Sequence, residues 1–347
     1  MTSFLLTLAL ALFPMRSPEA QIRALVSADA AQEAAVRSQP SDSVSLSPHS
    51  HFGANLHQFL YVLGRARAGY QDRARPAVAA AAIDTAGTES MESVERAAWD
   101  AAVSAYADSL ASRPMWEMGT VNAAMALWAG VDEPPPGLPA NVRTALAAAA
   151  PIYRRVWWPR HDSLNRAWIR HQRPLIYRHG DALSRRLSGA FRQPWPRDTI
   201  PVEVTAYATW AGAFTTTDPV LVHISSTYPA HHDTGGLEQL YHEAGHTLVE
   251  PIFEALKDEA ARRGLAPPRG SIRDLWHAVL FYTAGYAVRE IAPAHVPYSE
   301  AWGVEARNPA IYALVKAHWE PWLRGEIGMD RALGDLVEGL RGSRDTR

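Results

Sequence analysis

A mainly α-helical protein with one small β-sheet, of the α+β class, is what this sequence predicts, on three observations. Apolar residues recur three and four apart over most of the chain. Short β-branched runs are confined to one stretch, about 202 to 225. A hydrophobic content of 47% against 20% charged residues, over 347 residues, describes a globular chain long enough to bury an extensive core.

At the start, Phe4 to Phe13 (FLLTLALALF) is an apolar or near-apolar run of ten. It is too short to span a bilayer and suits the h-region of a signal peptide. Residues 1–20 are expected to be removed after Ala20, which places the protein in a periplasm or outside the cell. Residues 21–48 are Ala-, Ser- and Gln-rich with little periodicity, and SQPSDSVSLSP reads as a linker. Helical spacing then marks Asn55 to Ala68, Met91 to Ala111, Met115 to Ala129 and Asn141 to Val156. Asp162 to Arg192 carries the same period, with Pro174 predicted to divide it into two helices at a kink. The region 49–193 is thus expected to be all-α. Strands follow at Val202 to Ala206, Gly212 to Thr217 and Val220 to Ser225, then a helix over Leu237 to Glu250, stopped by Pro251. A second helix is predicted from Ser271 to about Glu290, after a loop with Pro267, Pro268 and Gly270, and Pro309 to Leu340 is again helical.

The composition closes several routes. Without cysteine there are no disulfides, thiol nucleophiles or thiolate metal ligands. The only lysines are Lys257 and Lys316, and neither follows a glycine, so no phosphate loop for ATP can form. A formal net charge of -2 without long single-sign runs gives no footprint for nucleic acid or an anionic membrane. No stable membrane span is expected. The partner expected is a peptide, a protein or a small molecule.

Chemistry concentrates in Tyr241-His242-Glu243-Ala244-Gly245-His246, which contains H-E-x-x-H. On a helix, residues four apart lie one above the other, so His242 and His246 offer two imidazoles that one metal ion can bridge. Glu243 lies about 100° further round. Its carboxylate then stands beside the metal, where it can take a proton from a bound water. Gly245 inside a helix costs about 1 kcal/mol relative to alanine, which invites a packing reason.

A catalytic zinc needs a third protein ligand and an open position. His277 is the odd residue in the apolar stretch Leu275 to Phe281, where an unpaired imidazole is costly to bury. It ranks first as third ligand. Glu290, Glu300 and Glu305 come next, and Asp274 last, since Ser271-x-x-Asp274 has capping-box spacing. His49, His51 and His57 fit no strong metal pattern and are expected at the surface or at caps. Trp157, Trp158, Trp168 and the HWEPW segment are read as packing.

From about Pro194 to Leu340, a sheet followed by a helix bearing HEAGH and a second helix bearing a third ligand resembles the catalytic half of the zincin metallopeptidases. The resemblance implies a zincin-like catalytic region over 194–347, of a bacterial family similar to the gluzincins. His277 stands where that branch has a glutamate. HEAGH is also similar to the peptidase domain of membrane AAA proteases, whose phosphate loop and membrane segment are missing here. What it implies is a zinc-dependent hydrolase, a metallopeptidase in which His242, His246 and His277 bind Zn²⁺ and Glu243 is the general base. The strand GAFTTT or VLVHISS would then be the edge that takes an extended peptide, and Tyr282, Tyr286, Tyr298, His231 or His232 would steady the oxyanion. The competing reading is a helical binding or structural protein with a closed, non-catalytic zinc site of four ligands.

Overall fold

The computed structural model describes residues 45–70, 84, 87–209, 211–265 and 271–342. The signal-peptide segment and residues 21–44 of the expected linker lie outside the described residues. Strand β1 (Leu46–His49) opens the described chain. Among the described residues, helices follow at α1 (Phe52–Arg67), α2 (Ser93–Ser109), α3 (Gly119–Leu127), α4 (Ala140–Val156) and α5 (Trp158–Phe191). Then come β2 (Ile200–Thr205), β3 (Ala213–Thr217) and β4 (Val220–Ser225). Helices α6 (Asp233–Gly245), α7 (Glu250–Arg262) and α8 (Ser271–Ile291) carry the HEAGH region, and α9 (Tyr298–Ala301), α10 (Val304–Arg307), α11 (Pro309–Leu314), α12 (Glu320–Leu323) and α13 (Met329–Gly342) complete it. The protein is mainly α with one small mixed sheet.

The sheet runs β1-β2-β4-β3, with β1, β2 and β4 parallel and β3 antiparallel to β4. Strand alternation divides its side chains between two cores. Leu46, Ile200, Val202, Val204, Ala213, Val222 and Ile224 join Ile176, Leu187, Leu240, Val279 and Trp319 in one. Phe214 joins Phe59, Trp99, Tyr106, Leu146 and Trp157 in the other, on the side of α1, α2 and α4. Trp157, Trp168 and Trp319 are buried as expected of packing residues. Helix α5 shares the first core with the sheet and α6, so residue 194 marks a change of secondary structure within one packed body.

Several boundaries differ from the sequence reading. Leu46 to Pro48, placed in the linker, are strand, because pairing with β2 satisfies a backbone whose side chains, Leu46 above all, are buried. Pro174 divides nothing: α5 is one helix of 34 residues. The proline costs about 3 kcal/mol, and burial of Ile169, Ile176, Leu183, Leu187 and Phe191, at about 1.5–3 kcal/mol each, outweighs it. The helix expected over 237–250 begins at Asp233 and ends at Gly245. Pro251 opens the next helix instead of stopping this one, since a proline in a first turn forfeits no intrahelical bond. His49 and His57, expected at the surface or at caps, are buried at 4% and 0% exposure, because α1 lies between the sheet and α2.

Candidate metal site and its surroundings

The three predicted ligands converge. His242 and His246 at the end of α6 meet His277 of α8, and one ligand atom from each lies within 4.8 Å of the other two. Among the described residues no other three His, Asp or Glu groups do this. His242 is in the last turn of α6, while His246 stands just beyond it, in a tightened turn where His246 N–H donates to Glu243 O at 3.1 Å and Leu248 N–H to Gly245 O at 2.9 Å. The two helices meet closely at Gly245: a Cβ there would come within 2.7 Å of Leu280 Cδ1 and 3.3 Å of Leu187 Cδ2. Gly245 thus answers to packing, and the crossing brings α8, with His277 one turn before Leu280, against α6.

Rings hold the imidazoles in place. Phe281, four residues after His277 and on the same helix face, stacks on His242 at 3.6 Å between centroids and meets His277 edge-on at 4.9 Å. Trp276 meets His246 edge-on at 5.6 Å and adjoins Phe253 of α7. Behind Phe281, Tyr298 stacks at 5.8 Å. Tyr298 is fixed by Glu238, one turn before His242, whose Oε2 accepts from Tyr298 N–H at 2.9 Å and His295 Nε2 at 2.6 Å.

Burial sets the charges. It holds His242 well below its ordinary value, with the neighbouring His246 and His277 adding to the effect. His246 is lowered to about 3 by burial and His277, and His277 to about 4 by burial and Arg273. All three rings are neutral near pH 7, the form that binds a metal. Burial pushes Glu243 the other way, up to about 8, against a hydrogen bond from Thr215 that favours the carboxylate. Glu243 Oε2 lies 3.8 Å from His246 Nε2.

The other carboxylates ranked as third ligand are elsewhere. Glu290 accepts from Arg186 of α5 at 2.8 Å, Glu305 from Lys316 at 2.5 Å, and Glu300 faces Arg289 at 4.0 Å. Asp274 lies 3.9 Å from Arg273 with its side chain 48% exposed. Each faces a cation, and none joins the group formed by the three histidines. The oxyanion candidates Tyr282 and His231 are engaged, Tyr282 with Glu320 and His231 Nδ1 with Ser225 O at 3.1 Å. The sheet order corrects one expectation: β4 (VLVHIS) is flanked on both sides, and the edge beside the site is β3. Spacing alone missed Thr215 and the two flanking aromatics. Phe281 and Trp276 were legible as helix neighbours of His277, whereas Thr215 is reached only through the tertiary fold.

The histidine set fits a metal ion by its own chemistry. Three nitrogen donors, neutral near pH 7, converge, and His242 Nδ1 is buried with no hydrogen-bond partner among the described residues. No described helix is long and apolar enough to cross a membrane. Compared with protein-family models, curated proteins and solved structures, the chain matches none.

Proposed function

We propose that this protein is a zinc-dependent hydrolase of the peptidase class. The observation that carries the reading is the convergence of three neutral imidazoles beside a buried carboxyl group on a single helix-helix crossing. His242, His246 and His277 would hold the ion, which when bound supplies Lewis-acid polarisation of a carbonyl and a more acidic water. Nitrogen-only ligation by three side chains suits Zn²⁺ with one position left open. A closed structural site needs a fourth ligand, and among the described residues none joins the group.

Glu243 is the proton carrier of this reading. Its carboxyl is buried, with Oε2 3.8 Å from His246 Nε2, a position from which it could accept a proton from water and pass it to a departing amine. Phe281 and Trp276 pack against the imidazoles and keep them in one orientation. Peptide is favoured over other substrates because a helix bearing HEAGH beside a strand, β3, whose Thr215 touches Glu243 and which ends the sheet, keeps the arrangement that the resemblance to the zincin metallopeptidases implies. Zinc analysis and casein hydrolysis by the purified protein and by Glu243→Gln test it. About one zinc per chain is expected in both, with hydrolysis by the variant lower by about 10²–10⁴-fold. Full zinc with undiminished hydrolysis in Glu243→Gln overturns the role of Glu243.

A further inference from the structure

Thr215 sits in β3 opposite Val222 of β4, and alternation points it, with Ala213, towards the core that contains α6. A buried hydroxyl on that face needs an acceptor. It finds two on one residue: Thr215 Oγ1 lies 2.8 Å from Glu243 O and 2.9 Å from Glu243 Oε2. The single hydroxyl hydrogen is shared between a main-chain oxygen that cannot move and a carboxylate oxygen that could rotate. Glu243 O also accepts from His246 N–H at 3.1 Å, so the same carbonyl is braced from the strand and from the turn that presents His246.

We infer that Thr215 is a positioning residue, a strand-borne latch that selects the rotamer of Glu243 and aims its carboxyl at the histidine triad. Among the described residues, the Glu243 side chain has one hydrogen bond, from Thr215, and its Oε2 lies 3.8 Å from His246 Nε2. A valine has the same shape and suits a strand equally, so the hydroxyl is explained by the contact it makes and not by β-propensity. The role rests on the hydrolase reading for its consequence in turnover, but the contact itself does not.

The test compares wild type with Thr215→Val and Thr215→Ser. In metal-free protein labelled with ¹³C at glutamate carboxyls, and with Glu243 assigned by Glu243→Gln, the Glu243 resonance is expected to move in Thr215→Val and to return in Thr215→Ser. In zinc-loaded protein, Thr215→Val is expected to keep its zinc and its KM, to lose about tenfold in kcat, and to recover in Thr215→Ser. An unmoved resonance, or an active Thr215→Val with unchanged kcat, overturns the inference. A loss of kcat that serine does not restore overturns it too, since the defect then lies in packing. If the resonance follows the hydroxyl while wild type hydrolyses nothing, the latch stands and the peptidase reading falls.

Discussion

Among the described residues, one set of histidines is fully buried and another, the triad, is partly so, and both are neutral for the same reason. Under the sheet, His57 and His223 are each lowered to about 3 by burial, as is His231 at the end of the strand region. At the crossing of α6 and α8 the triad is lowered in the same way. They differ in what their nitrogens face. His57 Nδ1 is bonded to Tyr106 Oη at 2.7 Å, His231 Nδ1 donates to Ser225 O at 3.1 Å, and His223 lies flat on Phe214 at 4.4 Å with neither nitrogen bonded. In the triad the rings are held by Phe281 and Trp276 through their faces and edges, and their ligand atoms converge. Burial makes a histidine neutral, and convergence makes three of them a group that could hold a metal ion.

The largest expected effect breaks the shared part of the comparison. A base whose proton affinity is lower in the folded than in the unfolded state leaves the unfolded chain binding more protons as pH falls through 6.5, so stability is lost from there towards the folded value near 3. Each such ring costs about 1.4 kcal/mol per pH unit, and His57, His223 and His231 together about 4 kcal/mol one unit below 6.5. Denaturant unfolding at pH 7 and pH 5.5 measures it. His223 faces His57 and, across the strand pair, Glu203. His223→Leu has no hydrogen bond to lose, so it should be at least as stable as wild type at pH 7 and should lose about 1 kcal/mol less per pH unit. A variant as acid-sensitive as wild type would show that His223 is not one of the titrating rings.

The next effect separates the two sets. His277→Ala removes one of three converging donors and is expected to weaken zinc binding by at least about a hundredfold, more than the loss of a group that only orients a ligand. His57→Gln should lower stability and leave zinc affinity unchanged. Equilibrium dialysis against a zinc chelator reads both. Zinc retained by His277→Ala at wild-type affinity removes His277 from the site.

The triad was legible in the sequence, and the other buried histidines were not. His242, Glu243 and His246 follow from the helical period alone, and His277 from its isolation in an apolar stretch, because both are local signals. His49 and His57 were misplaced because the pattern around them does not reveal that α1 is covered on two sides. Helix α7 was passed over because Glu250-Pro251 reads equally as a stop and as a start, and only the core filled by Ile252, Leu256 and Ala260 decides. β1 was hidden for a related reason: four residues in a Ser- and Pro-containing run become strand only when β2 supplies a partner 154 residues later. Thr215 belongs to this second kind, since its acceptor is 28 residues away across the fold.

The smallest expected effect tests whether convergence depends on the fit of the two helices. Gly245→Ala should gain about 1 kcal/mol of helix propensity. Its new methyl falls 2.7 Å from Leu280 Cδ1, a side-chain tip that can give way, so the net change in stability should stay within about 1 kcal/mol. Leu280 is one turn from His277, and any yielding of α8 moves that imidazole relative to the pair on α6. Zinc affinity should therefore fall several-fold while the unfolding midpoint hardly changes. The reverse pattern, a lower midpoint with zinc binding untouched, would mean that the crossing holds the core together but does not set the spacing of the three rings.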